Sequence, residues 1–213
     1  MNPQNEIIIH TQRIRALAET GLTYSINEAD IASYQEMKEL SDRLQSLITG
    51  IPQEVIKSQY TVTNQYITPK TEIFSIIFNR GEDQNNSEGE YEILLVKNKI
   101  TNTWCPPRIW SSNDLSPTEA AVEAAKFYGI LVHPKKLLAI MDTKSHGDLP
   151  SPHYSYKVFV LCKIDDKVKE SDREIRFFKE NEIPKLFENR IVEEQIKKMF
   201  EYAKNENKDV YFD

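Results

Sequence analysis

Apolar positions in the first quarter of the chain recur at helical spacing. In EIIIHTQRIRALAETG they fall at Ile7, Ile8, Ile14, Leu17 and Ala18, and Gly21 stands where a helix would stop. After the turn GLTYSIN, the segment DIASYQEMKELSDRLQSLITG places Ile31, Tyr34, Met37, Leu40, Leu44, Leu47 and Ile48 three and four residues apart. That spacing predicts a second amphipathic helix, closed by Gly50 and Pro52. Two helices alone do not bury enough surface to be stable. The hairpin of residues 1–53 is therefore expected to support a homodimer, and a simple cover over the rest of the chain is the alternative.

From about residue 54 the period changes. TEIFSIIFNR, YEILLVKN, KLLAIMDTK, SYKVFVLCKI and EIRFFK are strand-length runs rich in β-branched and aromatic residues. The polar stretch GEDQNNSEGE between the first two reads as a solvated connection. Between the second and third strands, SPTE offers Ser116 as a cap, Pro117 at the first helical position and Glu119 three residues on. This capping box is worth about 1 kcal/mol for the cap alone. Alanines follow, and Gly129 supplies a left-handed stop. IVEEQIKKMFEYAKN predicts a closing helix with Ile191, Gln195, Met199 and Tyr202 along one side, and the tail KDVYFD either frays or docks. Strands flanking a central helix, with a late helix behind them, predict an α/β (α+β) domain over 54–213 in which helices sandwich a mixed sheet.

With 39% hydrophobic and 28% charged residues the chain has a globular composition, and a net charge of −6 argues against a nucleic-acid coat. No apolar run is long enough to span a membrane, and the N-terminus MNPQNEIIIHTQRIR lacks a signal-peptide core, so a cytoplasmic location is expected. Cys105 and Cys162 belong to no CxxC pair and read as buried free thiols.

The stretch WCPPRIWSSNDLSPTEAAVEAAKFYGI, from Trp104 to Ile130, carries the chemistry. With ALAETGLTY, YITPKTEIFSIIFN, LLAIMDTKSHGDLPSPHYSYKVFVLCKI and RFFKENEIPKLFENRIVEEQI around it, the chain resembles the Nudix hydrolases, specifically the ADP-ribose and CDP-choline pyrophosphatase-like group with two extra N-terminal helices. The resemblance implies the Nudix α/β/α sandwich preceded by a helical hairpin. The family signature is a glycine, five residues, a glutamate, seven residues, then REUxEExGU. Its helix glutamates hold Mg²⁺ or Mn²⁺ against a diphosphate, and the metal activates water. This chain departs from it. The paired glycines fall on Arg108 and Ile109, and the glutamate before Ser-Pro falls on Leu115. The helix is one residue short, so the three helix glutamates fall either on Ala124, Phe127 and Tyr128 or on Glu123, Lys126 and Phe127.

Two functional expectations follow from the resemblance and its gaps. In the first, the chain has lost hydrolysis, needs no cofactor, and binds a nucleotide-diphosphate-like small molecule or a protein partner. Arg108 would pair with phosphate, Trp110 would stack on a base, and Asp142, Lys144, His146 and His153 would complete the cleft. In the second, it remains a hydrolase with a relocated Mg or Mn site on Glu119 and Glu123, with His146 or Glu174 as catalytic groups. Trp104 is expected in the core in either case.

Overall fold

The structure is a computed structural model that describes residues 3–58, 60, 68–80, 90–112, 114–149, 154–165, 174–205 and 207–213. His153 lies outside the described residues. Two compact units divide the chain, one holding the N-terminal helices and the other the strands and remaining helices.

In the first unit, helices α1 (Pro3–Tyr24) and α2 (Glu28–Thr49) form the hairpin, and a short helix α3 (Gln53–Ser58) follows. Asn27 caps α2, its side-chain oxygen accepting from the backbone of Ala29 and Asp30, and Gly50 ends it at φ 69°. Gly21 does not stop α1, contrary to the sequence expectation, because the helix runs three residues past it. Its role is close approach: a Cβ at Gly21 would lie 2.5 Å from ring atoms of Tyr34 on α2. Gly21→Ala is therefore expected to destabilise the chain by about 1 kcal/mol, whereas in a Tyr34→Ala background the same change stabilises by a similar amount through helix propensity. Urea denaturation of the four chains checks this reversal of sign.

The seam between α1 and α2 is polar. Arg15, buried, pairs with Asp42 and with Glu19 at 2.9 Å, and its guanidinium lies 3.7 Å from the centroid of the Tyr60 ring. Ser41 Oγ donates to the Thr11 carbonyl at 2.6 Å, and Tyr60 donates to Gln45 Oε1 at 3.2 Å. The apolar stripe of α2 faces outward instead, with Leu40 46%, Leu44 42% and Leu47 76% exposed.

The second unit is an eight-stranded mixed sheet between two helices. Its strands are β1 (Lys70–Arg80), β2 (Tyr91–Asn98), β3 (Thr103–Cys105), β4 (Arg108–Trp110), β5 (Val132–Asp142), β6 (Ser155–Ile164), β7 (Ile175–Lys179) and β8 (Tyr211–Phe212). The order is β3-β2-β1-β6-β5-β8, with β4 on the first half of β1 and β7 on β2. Parallel pairing of β1 with β6 sets the frame, because it places Glu72 beside Lys157 and Phe74 beside Phe159. Helix α4 (Pro117–Lys126) lays Ala120, Ala121 and Ala125 against Ile73, Ile77, Val158 and Val160. Helix α5 (Glu193–Lys204) covers the other face with Ile196, Met199 and Phe200 over Phe74, Phe159 and Leu138. Small alanines on α4 permit a close fit that leaves no room for long side chains at those positions.

The capping box forms as its spacing predicts. Glu119 N donates to Ser116 Oγ at 3.3 Å and Ser116 N donates to Glu119 Oε2 at 2.8 Å. At the other end Gly129 takes φ 77°, and paired bonds from Gly129 N to Lys126 O and from Ile130 N to Ala125 O complete a Schellman stop. The tail docks: β8 pairs with β5 in parallel. The short strands β3 and β4 and the early start of β5 at Val132 were not in the periodicity, since three residues carry no period and Pro134 masks a strand that the sheet tolerates at a register shift. Among the described residues, no helix is long and apolar enough to cross a membrane.

Candidate functional site

Strand alternation sends Glu72 and Lys157 to the α5 face of the sheet along with Phe74 and Phe159, so two charges sit among apolar neighbours. Each is 1% exposed. Burial without partners would be prohibitive, and partners converge on both. Arg108, delivered by β4, pairs with the Glu72 carboxylate. Asp148 pairs with Lys157, whose ammonium also donates to Gln195 Oε1 at 3.1 Å, while Gln195 Nε2 returns a bond to Asp148 Oδ2 at 2.9 Å. Gln195 stands in the first turn of α5, and its Oε1 also accepts from Val192 N at 3.2 Å. One side chain thus caps the helix and closes the polar triangle.

Arg190 completes the cluster. Its guanidinium lies 5.0 Å from the Trp110 ring centroid, and its buried Nε makes no hydrogen bond among the described residues. Burial lowers the Arg190 pKa, opposed by Glu72 and reinforced by Arg108. Burial raises the Glu72 carboxyl against the pull of Arg108, Arg190 and Lys157. It likewise raises Asp148 and lowers Lys157, each against the other's charge. Lys70 is lowered by burial and by Arg190. With Glu72 matched to Arg108 and Asp148 to Lys157, Arg190 is positive charge beyond that balance among the described residues. Cys105 lies within reach of the same field, and burial pushes its thiol up to about 12, so it is an inert thiol.

The residues singled out from sequence separate into two groups. Arg108 and Trp110 are neighbours on β4 and enter the cluster through Glu72 and Arg190. His146 is buried two residues before Asp148. The imidazole Nε2 is 2.9 Å from Asp213 Oδ1, and Tyr211 donates to the same carboxylate at 3.0 Å. Asp142 ends β5 and turns back on its own loop, accepting from Lys144 N, with Lys144 Nζ 3.7 Å from its carboxylate. Trp104 is core, edge-on to Phe178 at 4.8 Å.

The carboxylates expected for a relocated metal have other work. Glu119 is bound up in the cap of α4, and hydrogen bonds from Ser116 hold its carboxyl below the usual range. Glu123 pairs with Lys126 at 2.6 Å on the exposed face of the same helix. Glu174 is held by Lys97 at 2.8 Å and Arg176 at 2.9 Å, and the Lys97 hydrogen bond lowers its pKa. Among the described residues no three Asp, Glu, His or Cys side chains gather as a metal-holding group. The donor set on α4 therefore does not fit a divalent cation held as Nudix helices hold one. Sequence reasoning missed Glu72, Lys157, Asp148, Arg190 and Gln195. The signal was present for the first two, because a charge in phase with the inward-facing apolar residues of a strand must be buried with a partner.

Comparison with known proteins agrees with the fold. Residues 6–60 match the family model Nudix_N, described as a UDP-X-like N-terminal oligomerisation domain. Over 214 residues the chain is 30% identical to the Bacillus subtilis (strain 168) protein named "Putative ADP-ribose pyrophosphatase YjhB", spanning 99% of this chain and 98% of that one. A crystal structure of UDP-X diphosphatase covers 99% of both chains at 24% identity with a TM-score of 0.58. An ADP-ribose pyrophosphatase from Streptococcus suis 89-1591, 25% identical with a TM-score of 0.55, covers 68% of this chain and 100% of its own. The chain belongs to the Nudix hydrolase family, among the members that carry a UDP-X-like N-terminal domain ahead of the Nudix fold.

Proposed function

We propose that this chain is a Nudix protein whose metal-dependent hydrolysis is lost or greatly weakened, and that it acts by binding a diphosphate-containing nucleotide-like ligand as a homodimer. The observation that carries this reading is Arg190, a cation in excess of the buried charge balance, seated on Trp110 beside the Arg108–Glu72 pair. A guanidinium with an unused donor next to an indole face suits a phosphate joined to a flat ring. The relatives named for ADP-ribose and UDP-X supply the ligand class. The loss of hydrolysis rests on α4, where both glutamates serve the helix itself and the adjacent carboxylate pair of the family is missing. Without a charge-neutralising centre, phosphoryl transfer loses its principal stabilisation.

The test pairs product analysis with binding. ADP-ribose and CDP-choline are incubated with the protein and Mg²⁺ or Mn²⁺, or chelator, and products are followed by mass spectrometry. No metal-dependent product is expected. Calorimetry is expected to show binding of at least one compound, weakened about tenfold to a hundredfold by Arg190→Ala or Arg108→Ala, the range for a charge-assisted hydrogen bond. Metal-dependent cleavage in proportion to protein would overturn the reading in favour of an active hydrolase with a relocated metal site. Affinity unmoved by both substitutions would remove the cluster from the ligand's path.

A further inference from the structure

At the opposite end of β1 from Glu72, a cavity of about 740 Å³ opens between the last residues of β1 and β6, the start of β5 and the final turn of α5. Its size is that of a small-molecule site. The floor is apolar, with Phe78, Leu138, Leu161 and Ala203 in the lining and Tyr91 edge-on to Phe78 at 6.2 Å. The rim is cationic. Arg80, Lys135, Lys136 and Lys163 line the cavity, and no Asp or Glu does among the described residues. In a chain of net charge −6, such a concentration runs against the overall field.

Among the described residues, the acids Glu90, Asp165 and Glu201 pair with Lys179, His133 and Lys208. Lys136 donates to the Lys208 carbonyl at 2.7 Å, which fixes one ammonium at the rim. Arg80 rests over the Tyr91 ring at 4.9 Å, so a cation and an aromatic face are presented together. The register between β5 and β6 shifts between Pro134 and Lys136, where β5 meets the rim.

We propose that this cavity binds an organic anion with an aromatic body, of the aryl phosphate class, the ring lying on the Phe78–Leu161 floor and the anion on Arg80, Lys135 and Lys163. The site is separate from the Arg108–Arg190 cluster and does not depend on the reading given to it.

Phenyl phosphate is the probe, with inorganic phosphate and phenol as its two halves. By calorimetry on the full chain, phenyl phosphate is expected to bind about tenfold or more tightly than either half, since apolar floor and cationic rim contribute together. Acetic anhydride footprinting is expected to show Lys135 and Lys163 protected, while Lys126 and Lys197 on exposed helix faces react unchanged. Lys135→Glu with Lys163→Glu alters two exposed side chains and is expected to abolish this binding. Arg108→Ala leaves it intact and removes only phenyl phosphate bound at the other cluster. Phenyl phosphate that binds no tighter than inorganic phosphate, fails to protect Lys135 and Lys163, or ignores the double reversal overturns the proposal.

Discussion

A chain carrying Leu40→Glu and Leu44→Glu is expected to sediment as a monomer where the parent sediments as a dimer. The argument starts from where α1 and α2 put their polar groups. Thr11, Arg15, Glu19, Ser41, Asp42 and Gln45 are buried, and Ile7, Ile14, Leu17, Met37, Leu40, Leu44 and Leu47 are exposed. A lone helix pair places its apolar stripe inside, so this inverted arrangement leaves apolar side chains exposed on both helices that water disfavours and a second copy would cover. Carboxylates at two central positions would be desolvated in that interface, which costs on the order of 3 kcal/mol and raises the dimer dissociation constant more than a hundredfold. In a monomer both positions are surface, where such changes shift stability by only about 0.5 kcal/mol. Sedimentation velocity across a concentration series decides the matter. A parent that is monomeric throughout, or a variant that sediments like its parent, removes the interface.

The same hairpin shows what periodicity conveys and what it leaves out. Spacing of Ile31, Tyr34, Met37, Leu40, Leu44 and Leu47 marks the stripe on α2 without saying which side of the pair it faces. That depends on the buried polar residues, and Arg15 with Asp42 looks in sequence like ordinary surface charge until the hairpin brings together two positions 27 apart. In the second unit, long strands such as Tyr91–Asn98 and Ser155–Ile164 are legible to the residue, because apolar runs of that length have few alternatives. The capping box and Gly129 are legible because their chemistry is local. Arg108 and Trp110 are legible as candidates only through the resemblance to a known loop. Arg190 and Gln195 are not, since a cation before a helix and an amide in its first turn are common surface features. They acquire meaning from the parallel pairing of β1 with β6, which no local pattern encodes.

The buried triangle gives the second large effect. Asp148→Asn is expected to destabilise the fold by about 3–5 kcal/mol at neutral pH, because it leaves the Lys157 ammonium buried without its carboxylate. The expected pH dependence follows from linkage. Burial already holds the Lys157 pKa below the ordinary lysine value of 10.5, and Asp148 is the largest influence raising it. Removing that influence lowers the folded-state value further, while the unfolded value stays put. The folded chain then binds fewer protons than the unfolded chain between the two values, so stability climbs with pH across that window. The contribution is fully present above the unfolded pKa and is lost as pH falls through the folded one. The deficit of Asp148→Asn relative to the parent should therefore shrink steadily from pH 7 toward pH 10. Replacing both partners, Lys157→Met with Asp148→Leu, removes the charge rather than orphaning it and is expected to recover most of the loss. Urea midpoints at four or five pH values separate the outcomes. A deficit below about 1 kcal/mol that does not move with pH would mean Lys157 is solvated in the folded chain and the triangle is not a buried charge network.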